Sequence, residues 1–347
     1  MRLSQSRTSL AHRLLLPAAL ALASLAPAVI AAEPEAKRSP ITEASERALW
    51  WGDFGALEKQ NAYFMQPGRL EPDGTSQVSL FREGYGNVLY ASTKNPEIYL
   101  KELDALTLQW AKEHPRSALA HILHARSLLA HGQSYRGGSY AKDVPPEAWK
   151  FYHEYLRQAA EYLKDHAEVA LTDSDAHYVL LSIGRGLGWS SEQMVAIAED
   201  GLKRNPDDVS LHFAVVDHLL PKWNGTPREL DTYILQATEK TRGQFGTGMY
   251  ARLYSAAAED QFGSGLFEDS YADWDKMKRG YEDLLARYPA SVRQRNRYAH
   301  MACVAKDKEV MLRLLKEIGS EVRTKEWGRN PKRAFETCRL WATSVPG

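Results

Sequence analysis

The strongest constraint on this chain is one apolar helical register that recurs behind three prolines. Three residues beyond Pro115, Pro206 and Pro289 stand Ala118, Val209 and Val292. Steps of four, seven and eleven residues from each reach Ile122, Ala125 and Leu129, then Phe213, Val216 and Leu220, then Asn296, Ala299 and Cys303. Eleven of these twelve positions are apolar or Cys, which draws the same helix face three times. Proline suits a first helical turn and pushes the residue before it out of helical geometry. Each of the three therefore reads as a joint between a closing helix and an opening one.

Between the joints the periodicity predicts helices over 116–132, 145–167, 174–187 and 190–204, then 207–220, 227–241, 247–259 and 270–288. After Pro289 come 290–304, 307–318 and 331–343. Turn residues fill the breaks, among them Gly137-Gly138, Asp173, Gly188, Gly246 and Gly263-Ser264-Gly265. Upstream, 42–65 forms a hairpin around Gly52-Asp53 and 95–113 a single long helix. The expected fold class is all-α, a tetratricopeptide-like α-solenoid of irregular helical hairpins, each burying its spare apolar face on the next. The hairpins run to roughly 42–45 residues, longer than the 34 of a standard tetratricopeptide. One stretch departs from this, a non-helical arm near 66–88 rich in Pro, Gly and Asp-Gly turn signals. It is expected to pack over the first hairpin, with Asp73-Gly74 able to turn a small β-hairpin.

The N-terminus sets an expected compartment. Arg2, Arg7 and Arg13 precede an apolar run from Leu14 to Ile30 that ends in Val29-Ile30-Ala31-Ala32, the order of a cleaved signal peptide. An uncleaved anchor is the competing reading, but Pro17 and Pro27 interrupt the run, which is shorter than the roughly 20 residues that span a bilayer. The expected organisation is thus a signal peptide over 1–32, a linker over 33–41 and a helical-repeat domain over 42–344. The mature chain is expected in the periplasm or secreted, without stable membrane insertion. Its two cysteines, Cys303 and Cys338, are expected to bridge in an oxidising compartment; two buried free thiols are the alternative.

Forty-four basic and forty-four acidic residues balance, so no overall field draws the chain to nucleic acid. The balance is local: 257–287 carries eight acids to four bases, and 291 onward thirteen bases to six acids. A solvated face explains this, and recruitment of an acidic partner is the sharper reading.

Candidate chemistry is sparse. His121 and His124 lie one turn apart near His114 and His131, without the H-E-x-x-H pattern of a zinc site; surface or capped histidines are expected, and no metal. Gly184-Arg185-Gly186-Leu187-Gly188 lacks the strand that a dinucleotide loop needs and reads as a helix end. Asp269, Asp273 and Asp275 read as an acidic helix face rather than a glycosidase pair. Asn224-Gly225-Thr226 fits a glycosylation sequon and equally a turn. No cofactor motif is present.

Aromatics are the remaining lead, with nine Trp and seventeen Tyr. Tyr135, Arg136, Trp149, Trp223, Tyr250, Arg252 and Tyr254 fall on or at the ends of the central hairpins, and Tyr250 and Tyr254 share a helix face. Aromatics with Arg are the types enriched in binding hot spots, while wedging between helices is the competing reading.

Several stretches carry a resemblance. They are Trp51-Gly52-Asp53-Phe54 with Leu57, Leu80-Phe81, Arg136-Gly137 with Tyr140-Ala141 and Trp149, Leu219-Leu220-Pro221-Lys222-Trp223-Asn224-Gly225, and Met249-Tyr250-Ala251-Arg252-Leu253-Tyr254. Through them the chain resembles an uncharacterised family of exported bacterial helical proteins, classed as a domain of unknown function. The resemblance implies a tetratricopeptide-like fold and no activity, and it draws attention to Arg136, Trp223, Tyr250 and Arg252. The expected function is a binding or scaffolding module of the cell envelope for a peptide, glycan or protein partner. The alternatives are an envelope hydrolase with acid and base from separate hairpins, and an immunity protein against a periplasmic toxin.

Overall fold

At each proline joint the backbone does the same thing. His114, Asn205 and Tyr288, the residues before the prolines, adopt φ/ψ of −124/61, −135/88 and −127/66, off the helical region from which proline excludes its predecessor. Helices then reopen at Ala118, Ser210 and Val292. Of the twelve register positions nine are buried and Ala118, Phe213 and Val292 half-buried, so the recurring face is the packing face. The one polar member, Asn296, is fully satisfied. Its amide donates to the carbonyls of Val292 and Glu321, and its oxygen accepts from the Arg323 N–H and the Trp327 indole.

The computed structural model describes residues 38–139, 141–223 and 225–344. The expected signal peptide and most of the expected linker lie outside the described residues, as do Tyr140 and Asn224. The helices are α1 (Pro40–Trp50), α2 (Phe54–Phe64), α3 (Gln77–Leu89), α4 (Pro96–Glu113), α5 (Ala118–Arg136), α6 (Pro146–Asp165), α7 (Ala167–Ala170), α8 (Ser174–Leu187) and α9 (Ser191–Arg204). They continue as α10 (Ser210–Leu219), α11 (Pro227–Lys240), α12 (Arg242–Phe245), α13 (Gly248–Ala257), α14 (Leu266–Asp269), α15 (Trp274–Arg287), α16 (Val292–Val304), α17 (Lys308–Ile318) and α18 (Pro331–Thr343). Their starts carry the expected chemistry. Proline opens α1, α4, α6, α11 and α18, and reciprocal capping boxes join Ser190 to Gln193 and Thr226 to Glu229. Helix α1 begins inside the expected linker.

The result is all-α and solenoid-like. Helices α5, α8, α10 and α13 form a row in which each packs on the next, and α6, α9, α11 and α15 close hairpins against them. The core is serial rather than central, as stacked hairpins require. One cluster runs from Ala48 to Ala130, the next from Ile122 to Ile183, and the last from Leu181 to Ala342. Among the described residues no helix is long and apolar enough to cross a membrane.

The expected non-helical arm needs correction over its second half, because Gln77–Leu89 is helix α3. Only 65–76 is irregular, and there the Asp73-Gly74 turn is closed by a single antiparallel bridge between Leu70 and Ser76. Two glycines hid the helix. At Gly84 a Cβ would lie 2.3 Å from the Thr42 carbonyl oxygen and 2.7 Å from the Ser45 Cβ, so α1 and α3 cross at a distance that only glycine permits. The irregular segment also travels further than the first hairpin. The Gly68 N–H donates to Asp207 (3.3 Å), and Gly74 lies against the Tyr288 ring, where a Cβ would stand 2.8 Å away.

Helix α3 is anchored by charge. Arg82, buried, donates to Asp208 (2.5 Å), Asp173 (3.2 Å) and Ser174 (3.2 Å) and lies 3.4 Å from Asp175. Asp175 also accepts from Arg126 Nε (2.8 Å) and from the Tyr85 hydroxyl (2.6 Å). Removing one partner from such a cluster strands the other charges away from water. Arg82→Met is therefore expected to lower unfolding free energy by about 3–5 kcal/mol, read from urea denaturation; a loss under about 1 kcal/mol would show the cluster to be dispensable.

Cys303 on α16 and Cys338 on α18 are joined, with Cα atoms 5.7 Å apart. Their separation of 35 residues sets the chain-entropy stabilisation at about 3–4 kcal/mol. The double variant Cys303→Ala/Cys338→Ala should lose that much in chemical denaturation. Parent protein denatured without reductant should take up no thiol label.

Candidate functional site

Two helix faces with the same spacing build the candidate site. On α8, Tyr178, Leu181, Ser182 and Arg185 recur at helical intervals. On its neighbour α10, Ser210, Phe213, Ala214 and Asp217 do the same, with Val209 at its N-cap. These stripes line a cavity of about 370 Å³, walled further by Ser79 of α3, Arg252 of α13 and Asp260 of the π-helical turn Ala258–Phe262. The volume lies in the range of small-molecule sites.

Two charged groups on its walls are already neutralised. Arg185 pairs with Asp217, which also lies 3.5 Å from the Lys222 ammonium. Arg252 differs. Its guanidinium lies over the rings of Phe213 (5.3 Å) and Phe245 (4.9 Å), and among the described residues it closes no ion pair or hydrogen bond. Burial, then Arg293 and Arg297 nearby, push its pKa down to about 9. Arginine in solution is protonated throughout the working range, so this measures how poorly the charge is compensated rather than a deprotonated side chain. Arg293 is under the same pressure, lowered first by burial, and its Nε is buried without an acceptor. Tyr90 lies within electrostatic reach of Arg126, Tyr178 and Arg185; it keeps 51% of its surface open to solvent, yet burial raises its phenol.

The aromatic and arginine residues singled out from sequence separate into three places. Tyr135, Arg136 and Trp149 gather where α5 ends and α6 begins. Tyr135 donates to Glu97 (2.6 Å) and stacks on Phe151 at 4.8 Å, and Arg136 lies 5.8 Å over the Trp149 ring while donating to the Gly137 and Ser139 carbonyls. Tyr250 and Tyr254 are core. They are 2% and 0% exposed; Tyr250 accepts from the Asp273 N–H and Tyr254 donates to Asp231. Their shared face packs into the helix stack and leaves a ligand nothing to touch. Arg252 alone faces the cavity. Trp223 stands beside it, with Arg185 at 5.7 Å and Lys222 at 5.8 Å from its ring and a buried indole N–H without an acceptor. Sequence reading missed Tyr178, Arg185, Ser210, Phe213 and Asp260 as site residues. The available signal was a polar and aromatic stripe on two neighbouring helices, which on the second shares Val209 and Phe213 with the apolar register.

The histidines also need correction. His121, His124 and His131 are buried, not at the surface. His121 bonds the Tyr162 hydroxyl (2.9 Å) and the Pro115 carbonyl (3.0 Å), His124 bonds Thr107 (3.1 Å), and His131 bonds Asp104 (2.5 Å) and Glu97 (3.2 Å). Helix α5 is enclosed by α4, α6 and α8, so even its polar positions lie inside. Among the described residues no group of three His, Cys, Asp or Glu is placed to hold a metal ion.

A second cavity, about 480 Å³, borders the disulfide and holds Glu259, Arg297, His300, Glu326 and Trp327. One Arg297 nitrogen lies 2.8 Å from Glu326 and 3.5 Å from Glu259. Burial raises the Glu259 carboxyl, and burial lowers His300 to about 4. Burial likewise holds His124 and His212 at about 4. A folded pKa below the unfolded value of about 6.5 means that the unfolded chain binds protons first. Stability from these three imidazoles is therefore complete above about pH 6.5 and drains as pH falls toward 4. Urea midpoints should drop between pH 7 and 4.5 by the equivalent of several kcal/mol, with His124→Gln flattening the slope; an unchanged midpoint would show that these rings are not held neutral.

Comparison of the chain with protein-family models, with curated proteins and with solved structures finds no match.

Proposed function

We propose that this chain is a binding module of the cell envelope, built on tetratricopeptide-like hairpins, whose inner-row cavity takes an anionic group of a peptide or glycan partner. The observation that carries the reading is Arg252, a half-buried guanidinium on the cavity wall that closes no ion pair or hydrogen bond among the described residues. The buried arginines Arg82 and Arg126 are paired, whereas among the described residues Arg252 and its neighbour Arg293 are not. A cation withdrawn from water without compensation costs stability, and such costs are retained where a site needs them. Stacked over Phe213 and Phe245, the guanidinium leaves its in-plane N–H fork for a planar oxyanion, the geometry in which Arg binds carboxylates. Envelope location is supported by the N-terminal arginine and apolar run and by the joined cysteines. The short motifs around Arg136, Trp223 and Arg252 support membership of the exported helical family.

A second reading, hydrolysis in the larger cavity, draws on one observation: Glu259 and Glu326 share Arg297, with Glu259 held toward its protonated form. A carboxyl held toward its protonated form beside a second carboxyl group suits a general acid. The binding reading is preferred because Arg297 answers both carboxylates, whereas no carboxylate answers Arg252.

Thermal denaturation in acetate, citrate and inorganic phosphate tests the binding reading. Anions that reach Arg252 should raise the melting temperature, more strongly at low ionic strength. Arg252→Met should be more stable than the parent without anion, by on the order of 1–2 kcal/mol, and should lose the anion response. A less stable variant that still responds would overturn the assignment.

A further inference from the structure

We propose that the ligand of this cavity is a zwitterion, an amino acid or dipeptide, with its carboxylate on Arg252 and its ammonium on Asp260. The inference rests on the anion-binding reading and adds the second charge. Asp260 lines the same void as Arg252, and among the described residues its carboxylate accepts no hydrogen bond and closes no ion pair. Lys222 feels its charge from a distance, but that ammonium lies 3.5 Å from Asp217 and bonds the Asp260 carbonyl instead. The backbone of Asp260, by contrast, is firmly held. Its carbonyl accepts from Lys222 (3.3 Å) and Arg329 (2.7 Å), and the next side chain, Gln261, accepts from the Lys222 N–H (2.9 Å). The wide π-helical turn that closes α13 is thus pinned from two sides, with its carboxylate on the cavity wall. Turns of this kind recur at functional sites.

The charge balance of the walls supports a dipolar occupant. Arg185 and Asp217 cancel each other, with Lys222 beside Asp217, and among the described residues Arg252 and the Asp260 carboxylate are the wall charges that close no ion pair. Arg252 and Asp260 do not pair across the void, and Asp260 is not among the groups that shift Arg252. Two opposite charges on one cavity, neither joined in an ion pair, are complementary to a molecule carrying both charges. A simple anion would satisfy Arg252 and leave Asp260 unmet. The rest of the lining suits an amino acid: the Ser182 and Ser210 hydroxyls offer hydrogen bonds, and Phe213 with Leu181 offers an apolar surface for a side chain.

The test is a panel of the twenty free amino acids and their glycyl dipeptides against the full chain, read by thermal shift and then by calorimetry. At least one member should bind. Its N-acetyl and amide derivatives should each bind at least tenfold more weakly. Asp260→Asn should erase the preference for the free amine while keeping carboxylate binding, and Arg252→Gln should abolish both; circular dichroism of each variant separates lost binding from lost folding. If the N-acetyl form binds as well as the parent compound and Asp260→Asn changes nothing, the zwitterion is wrong while the anion site stands. If the amide binds as well as the acid, both readings fail. A panel without a binder overturns the zwitterion proposal, and the response to acetate and citrate then decides the anion site separately.

Discussion

The buried charge cluster around Arg82 is the interaction on which the rest of this structure depends. Stacked hairpins hold themselves in a row through neighbour contacts alone, and nothing in that scheme directs an N-terminal helix onto the fifth and later helices of the stack. Arg82 does so. Asp173 and Asp208 stand at the openings of α8 and α10, where Asp173 also accepts from the Asp175 N–H and Asp208 from the Ser210 N–H. Carboxylates at helix N-termini sit in favourable fields, and one guanidinium from α3 engages both. Burial opposes every charge in the cluster; mutual attraction raises Arg82 and Arg126 well above the usual arginine value and holds Asp175 at about 2. The ions survive burial because each has its counter-ion and its hydrogen bonds.

This framework also makes the cavity. Ser79 lies one helical turn before Arg82, so docking α3 on the aspartates brings Ser79 to the cavity wall formed by α8 and α10. The contrast between Arg82 and Arg252 then becomes informative. Arg82, buried, meets three carboxylates and is shifted up, whereas Arg252, half-buried, meets two arginines and two phenylalanines and is shifted down. The first arrangement maximises stability. The second forgoes it at one place, which is where a ligand can supply the missing charge.

Much of the fold was legible because hairpin solenoids are made from local contacts. Apolar period, proline joints and caps act within a few residues, so the long helices from α4 to α18 could be located from their own segments, whereas the four-residue helices α7, α12 and α14 could not. The misreadings share one cause, that partners distant in sequence override local signals. Helix α3 carries Gly84 and Gly86, residues that lower helix propensity, yet Gly84 is required by the close crossing with α1, and the cost is met by packing. The α5 histidines look polar in sequence but are enclosed by α4, α6 and α8, where Tyr162, Thr107 and Asp104 satisfy them. Tyr250 and Tyr254 share a helix face as expected, but which way that face points depends on α11 and α15.

The sequence by itself determined an all-α chain of paired helices, the approximate places of its long helices, and a cysteine pair on a common core. These follow from backbone geometry and from apolar periodicity, whose range is one or two helical turns. Only the tertiary structure decided which arginine is paired and which is left open, where the 65–76 segment lands, and that Asp260 and Arg252 line one void. Charge compensation is a property of three-dimensional neighbours: Arg82 finds Asp208 across 126 residues, and Arg252 finds no carboxylate among the described residues. No local pattern distinguishes those two arginines, because the difference lies entirely in what the folded chain brings beside each one.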